Sequence, residues 1–197
     1  MRPFLSVLAQ HQEVLAQVAH QTQLIEAAGA LLLQTLQNKG KILLCGNGGS
    51  AADCQHIAAE FVVRYEKKRR ALAAIALTTD TSILTASAND FEFSAVFSRQ
   101  VEAIGNASDC LIAISTSGRS ANVINAIKAA KSKGMTVIAL TGSDGGELGA
   151  LATLTIKVPS NVTARVQEAH IVIGHWWCSV VEDAFSEEGS NHAGNNT

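Results

Sequence analysis

The 197-residue sequence has no excess of positive charge: 15 lysines and arginines face 17 acidic residues, for a formal net charge of −2. A nucleic-acid-binding surface calls for a basic excess, so this balance argues against that class. The one basic run, Lys67-Lys68-Arg69-Arg70, reads as a solvated loop. Long apolar runs are missing too, because charges interrupt every candidate well short of the ~20 residues a membrane-spanning helix needs. At the N-terminus Gln10, His11, Gln12 and Glu13 break any apolar core, so it does not read as a signal peptide. The four cysteines, Cys45, Cys54, Cys110 and Cys178, include no C-x-x-C pair. Scattered among apolar residues, they fit buried free thiols in a reducing cytoplasm better than a zinc-thiolate site. No internal repeat or linker divides the chain.

Hydrophobic residues make up 47% of the sequence, and its length suits one well-filled core, so a single domain over 1–197 is expected. Residues from about Phe4 to Asn38 carry Leu5, Leu8, Leu15, Val18, Ile25, Leu32 and Leu36 near helical spacing, with Gly29 as the expected divider of two helical segments. Short apolar runs follow at Lys41–Cys45, Ala74–Thr78, Cys110–Ser115, Thr136–Leu140 and Thr153–Val158. Helical patterns lie between most of them: Ser50–Tyr65, a shorter piece after Thr81, Ser94–Ile104 and Ser120–Lys133, with a last helix over Thr163–Phe185. Uninterrupted apolar strands alternating with helices predict an α/β fold with a parallel sheet covered on both faces. The tail from Ser186 to Thr197, rich in Gly, Asn, Ser and Glu, is expected to be disordered.

In such sheets ligands gather beyond the carboxyl ends of the strands. Three polar, glycine-rich segments fall there: Gly46–Ser50, Ser115–Ser120 and Thr141–Gly146. The first sits between a strand and a helix and can present backbone N–H groups and Ser50 to an anion. Gly46-Asn47-Gly48-Gly49-Ser50-Ala51 also fits the dinucleotide pattern G-x-G-x-x-A, which requires an acidic residue about twenty positions on. Glu66 precedes the second strand and Asp80 comes too late, so that reading lacks its ribose partner. In Ser115-Thr116-Ser117-Gly118-Arg119-Ser120 one serine would serve as a helix cap. A Ser-Thr-Ser cluster with a further serine exceeds what capping needs and points to phosphate oxygens.

His56 and Glu60 stand at i and i+4 and face the same way. Their neighbours Ile57, Ala58, Ala59 and Phe61 are apolar, which predicts a heavily buried helix in which a carboxylate needs a partner, a metal or a raised pKa. On the last helix Gln167, His170 and His175 recur among Val166, Ile171, Val172 and Ile173. Gln167 and His175 are about 80° apart around the helix and can look into one cleft, whereas Gln167 and His170 are related at i+3. Spacing does not choose between them. A lone histidine on an apolar helix is usually a satisfied core residue. Two helices that each carry a histidine and a second ligating side chain leave a metal or acid–base site open as the alternative to that core role.

These motifs together resemble the sedoheptulose 7-phosphate (phosphoheptose) isomerases of the sugar-isomerase, or SIS-domain, family. The resemblance runs from about Lys41 to Phe185. It is carried by Cys-Gly-Asn-Gly-Gly-Ser50, Gln-His56-x-x-x-Glu60, Asn89-Asp90, Ser115-Thr-Ser-Gly-x-Ser120, Thr141-Gly-x-Asp-Gly-Gly146 and Arg165-x-Gln167-Glu-x-His170-x4-His175.

The resemblance implies a flavodoxin-like SIS fold with a five-stranded parallel sheet and an extra N-terminal helix. It implies a cytoplasmic homotetramer with active sites between subunits. The implied reaction is isomerisation of sedoheptulose 7-phosphate to D-glycero-D-manno-heptose 7-phosphate through an enediol, supplying heptose for lipopolysaccharide. By the same carry-over one Zn2+ per subunit would be held by His56, Glu60, Gln167 and His175, with Glu60 and His175 as the catalytic pair. Asn47, Gly48, Gly49, Ser50, Glu60, Asn89, Asp90, Ser115, Thr116, Ser117, Ser120 and Gln167 would contact the sugar phosphate. One departure is Arg69-Arg-Ala-Leu-Ala-Ala74, where the family usually has Arg-Pro-x-x-Pro-Ala, which leaves this loop more flexible when unfolded. The rival reading is a non-enzymatic tetrameric relative that binds the replication initiator and lacks the two acid–base side chains; both are present here. A phosphosugar-sensing regulator would normally carry a DNA-binding segment, and the N-terminal helices offer only Arg2, Lys39 and Lys41 as cations.

Overall fold

A computed structural model describes residues 3–192, with side chains described as far as Ser186. The five apolar runs form strands β1 (Ile42–Gly46), β2 (Ala74–Ala76), β3 (Cys110–Ser115), β4 (Thr136–Thr141) and β5 (Leu154–Lys157). All pair in parallel, in the order β2-β1-β3-β4-β5. This is the flavodoxin-like order, in which the direction of winding reverses between β1 and β3.

Successive side chains of a strand point to opposite faces, and both faces here are covered. Ile42, Leu44, Ile112, Ile114, Ile138 and Leu140 enter one apolar cluster, and Leu43, Cys45, Leu111, Ala113, Val137 and Ala139 enter the other. The first face is covered by α1 (Phe4–Val18), α2 (Thr22–Gln37), α3 (Gly49–Val62) and α8 (Thr163–His192). The second is covered by α5 (Ser98–Ile104), α6 (Ala121–Ser132) and α7 (Gly146–Leu151), while α4 (Thr81–Asp90) adds Leu84 at its margin. All four cysteines are buried free thiols. Among the described residues no helix is long and apolar enough to cross a membrane.

The N-terminal helix divides at a 3-10 turn over Ala19–Gln21 and not at Gly29, which lies inside α2. Gly29 is there for packing, since an added Cβ would fall 3.1 Å from Trp176. The last helix runs on to His192, past the predicted end at Phe185. Of the tail expected to be disordered, residues 193–197 lie outside the described residues.

Candidate functional site

The reversal between β1 and β3 opens a crevice at their carboxyl ends, and the predicted hydroxyl and glycine segments line it. A cavity of about 250 Å3 is bounded by Asn47, Gly48, Gly49 and Ser50 after β1, and by Ser115, Thr116 and Ser120 after β3. Gln167 and Thr163 close it from α8. Ser120 occupies the N-cap position of α6 but makes no capping bond with its side chain. Its hydroxyl meets that of Ser115 at 2.9 Å, so the serine cluster serves the cavity and not the helix end. Asn47 is fixed by reciprocal amide bonds with Asn122, at 2.9 and 2.8 Å. Ser117 lines a second, adjoining cavity of about 170 Å3 with Arg119, Ser143 and Asp144; Thr116 and Thr163 belong to both.

Beside this crevice α3 and α8 lie against each other and run the same way. Gln167 packs on Gly49, where an added Cβ would collide with its amide, and Gly174 packs on Ile57. The close approach at Gly174 brings His175 to His56, with the two Nε2 atoms 3.3 Å apart. The rings meet edge to face, with centroids 4.9 Å apart. His56 Nε2 is also 3.3 Å from Glu60 Oε1. Tyr65 places its ring 5.6 Å from that of His175. The expected heavy burial does not hold at these positions: the His56 side chain is 48% exposed and that of Glu60 22%. The apolar neighbours Ile57, Ala58 and Phe61 fill the opposite face of α3.

Packing sets His170 apart from His175. His170 is fully buried, with Nε2 3.2 Å from the Thr141 carbonyl oxygen and Nδ1 without a hydrogen-bond partner. Burial pushes its pKa down to about 4, against the opposing effect of the Thr141 bond. Asp53, three residues before His56 on α3, keeps Oδ2 buried without a partner. Burial raises its carboxyl pKa, and the charges of His56 and His175 pull it back. Asp53 and Asn122 are absent from the residues expected from sequence, although each lies inside or beside a quoted motif.

Asn89 and Asp90 are not brought to this cavity within the chain. They end α4, exposed, where Asn89 donates to Asp90 at 2.8 Å. Asp90 lines a different, mostly apolar groove between α4 and α5. Arg69 also departs from expectation. It belongs to the run expected to be solvated, yet its side chain is 1% exposed and faces Glu182.

Two nitrogens and a carboxylate oxygen form a donor set suited to zinc, and in a tetrahedral site such atoms lie about 3.3–3.4 Å apart. The two contacts at His56 have that spacing. Among the described residues no group of three or more His, Cys, Asp or Glu side chains is arranged to hold a metal ion.

Residues 8–142 match the SIS domain family. Over 177 residues the chain is 52% identical to the phosphoheptose isomerase of Aliarcobacter butzleri, covering 89% of this chain and 94% of that one. The chain belongs to the phosphoheptose isomerase family of SIS domains. A phosphoheptose isomerase of Neisseria meningitidis is 57% identical over 163 residues, 81% of this chain and 83% of that protein. The solved structure of phosphoheptose isomerase from Neisseria gonorrhoeae matches with a TM-score of 0.87 and 47% identity, covering 91% of this chain and 97% of that one. The serine-lined crevice and the Glu60–His56–His175 contact beside it lie within this fold.

Proposed function

We propose that this chain interconverts sedoheptulose 7-phosphate and D-glycero-D-manno-heptose 7-phosphate through an enediol. The observation that carries the proposal is the contact of His175, His56 and Glu60 beside a cavity lined with hydroxyls. Moving a carbonyl from C2 to C1 needs a base for the carbon-bound proton and a second group for the proton on oxygen. Glu60 takes the C1 proton and returns it at C2. His175 moves the proton between the two oxygens. Ser115, Thr116, Ser117 and Ser120 hold the phosphate, and Asn47, held by Asn122, fixes the sugar with Gly48, Gly49 and Ser50. His56, Glu60, Gln167 and His175 would hold a zinc ion, which supplies Lewis-acid polarisation of the carbonyl when bound.

The presence of both acid–base side chains favours the enzyme over a non-enzymatic, initiator-binding relative. The same reading includes assembly as a cytoplasmic homotetramer; an apolar groove of about 290 Å3 between α1, α2 and α8, lined by Leu15, Val18, Ile25, Val172 and Trp176, supports only that this face packs against another subunit. Contributions of Asn89 and Asp90 to a neighbouring subunit's site belong to the same proposal. The test is to incubate the protein with sedoheptulose 7-phosphate, with chelator and with added zinc, and follow the aldose by NMR. Aldose should form, stop with chelator and return with zinc. No turnover under any metal condition would overturn the isomerase reading.

A further inference from the structure

The loop that leaves α3 is fastened by a buried acid on α8. Glu182 is 1% exposed and spends both oxygens on this loop. Oε1 accepts from the Tyr65 amide at 2.8 Å, and Oε2 accepts from the amides of Glu66 and Lys67 at 2.6 Å each. Arg69 Nε lies 3.5 Å from Glu182 Oε1. The same guanidinium turns back onto α3, donating from Nη2 to the backbone carbonyl of Glu60 at 2.6 Å and from Nη1 to that of Arg70 at 2.9 Å.

The last four carbonyls of a helix have no partner within it. In α3 those of Ala59 and Phe61 accept from the amides of Val63 and Leu72. The carbonyl between them belongs to Glu60, and Arg69 takes it. No proline stiffens the loop from Val63 to Ala73. A buried ion pair contributes little net stability on average, because desolvation offsets the attraction. Its cost is better matched to holding one geometry.

We propose that Glu182 and Arg69 form a positioning pair that sets the end of α3, placing Glu60 against His56 and Tyr65 against His175. The inference rests on the isomerase reading for its kinetic consequence. It does not rest on it for the geometry. Neither side chain belongs to the proposed substrate- or metal-binding set; both act through Glu60 and Tyr65.

The test compares Glu182→Gln and Arg69→Lys with the unchanged chain. Each variant should lower kcat about tenfold or more while KM stays within about twofold. The split should persist after rates are normalised to the fraction of protein that binds sugar phosphate. Arg69→Lys keeps the charge without the planar fork, and it serves if Glu182→Gln does not fold. Hydrogen exchange over residues 60–70 should quicken in both, whether or not the chain turns over. Lack of turnover by the unchanged chain sinks the isomerase reading and leaves exchange to decide this one. Unaltered exchange, or a fall in kcat that only tracks the folded fraction, would overturn the positioning role.

Discussion

His170 and His175 sit five residues apart on α8 and occupy opposite kinds of environment. Five residues turn the helix by about 140°, so the two side chains cannot share a face. His170 points into the core, bonded to the Thr141 carbonyl and held neutral by burial. His175, itself half-buried, points across the α3–α8 seam to the more exposed His56. The same residue type thus serves packing in one place and, in the proposed reaction, proton transfer in the other. The neighbouring helix decides which.

The sharpest way to break this comparison is to remove each histidine in turn. His175→Asn should lower kcat about 10²–10⁴-fold with little change in thermal stability. His170→Leu should leave kcat near its normal value at neutral pH, because it touches no part of the proposed reaction. Thr141 keeps its backbone partner, the Val158 amide. Equal kinetic losses in both variants would erase the distinction.

A smaller effect separates them by pH. The His170 pKa is lowered by folding, so the unfolded chain binds the proton first as pH falls. Its contribution to stability is fully present above about 6.5 and is lost as pH falls towards about 4. That gap corresponds to roughly 3 kcal/mol. Urea titrations across this window should show stability falling in the unchanged chain and a flatter profile in His170→Leu. Identical profiles would place the acid sensitivity elsewhere.

Much of this is legible in the sequence. The strands are uninterrupted apolar runs, and each expected strand ends within two residues of the observed one. The glycine and serine segments fall at strand ends, where the topology makes a crevice. Other features depend on contacts that no local pattern encodes. The short α7 carries no clear sequence signal, because Gly146 and Gly149 weaken a six-residue helical pattern. Gly29 reads as a breaker in the sequence, but its role is to admit Trp176. Arg69 sits in a basic run that suggests solvent, while its buried partner Glu182 lies 113 positions on. The one available signal is a carboxylate at Glu182 among Val180, Val181, Ala184 and Phe185.

The central claim is that Glu60 carries the carbon-bound proton. Its most direct test compares the unchanged chain with Glu60→Gln in D2O, zinc-loaded, with sedoheptulose 7-phosphate, following the aldose by NMR and sugar-phosphate binding by calorimetry. The unchanged chain should form aldose whose C2 hydrogen comes from C1, replaced by deuterium only in turnovers where the Glu60 carboxyl exchanges with solvent before returning it, while Glu60→Gln should still bind the sugar phosphate but form no aldose. Near-normal turnover by Glu60→Gln would contradict the account.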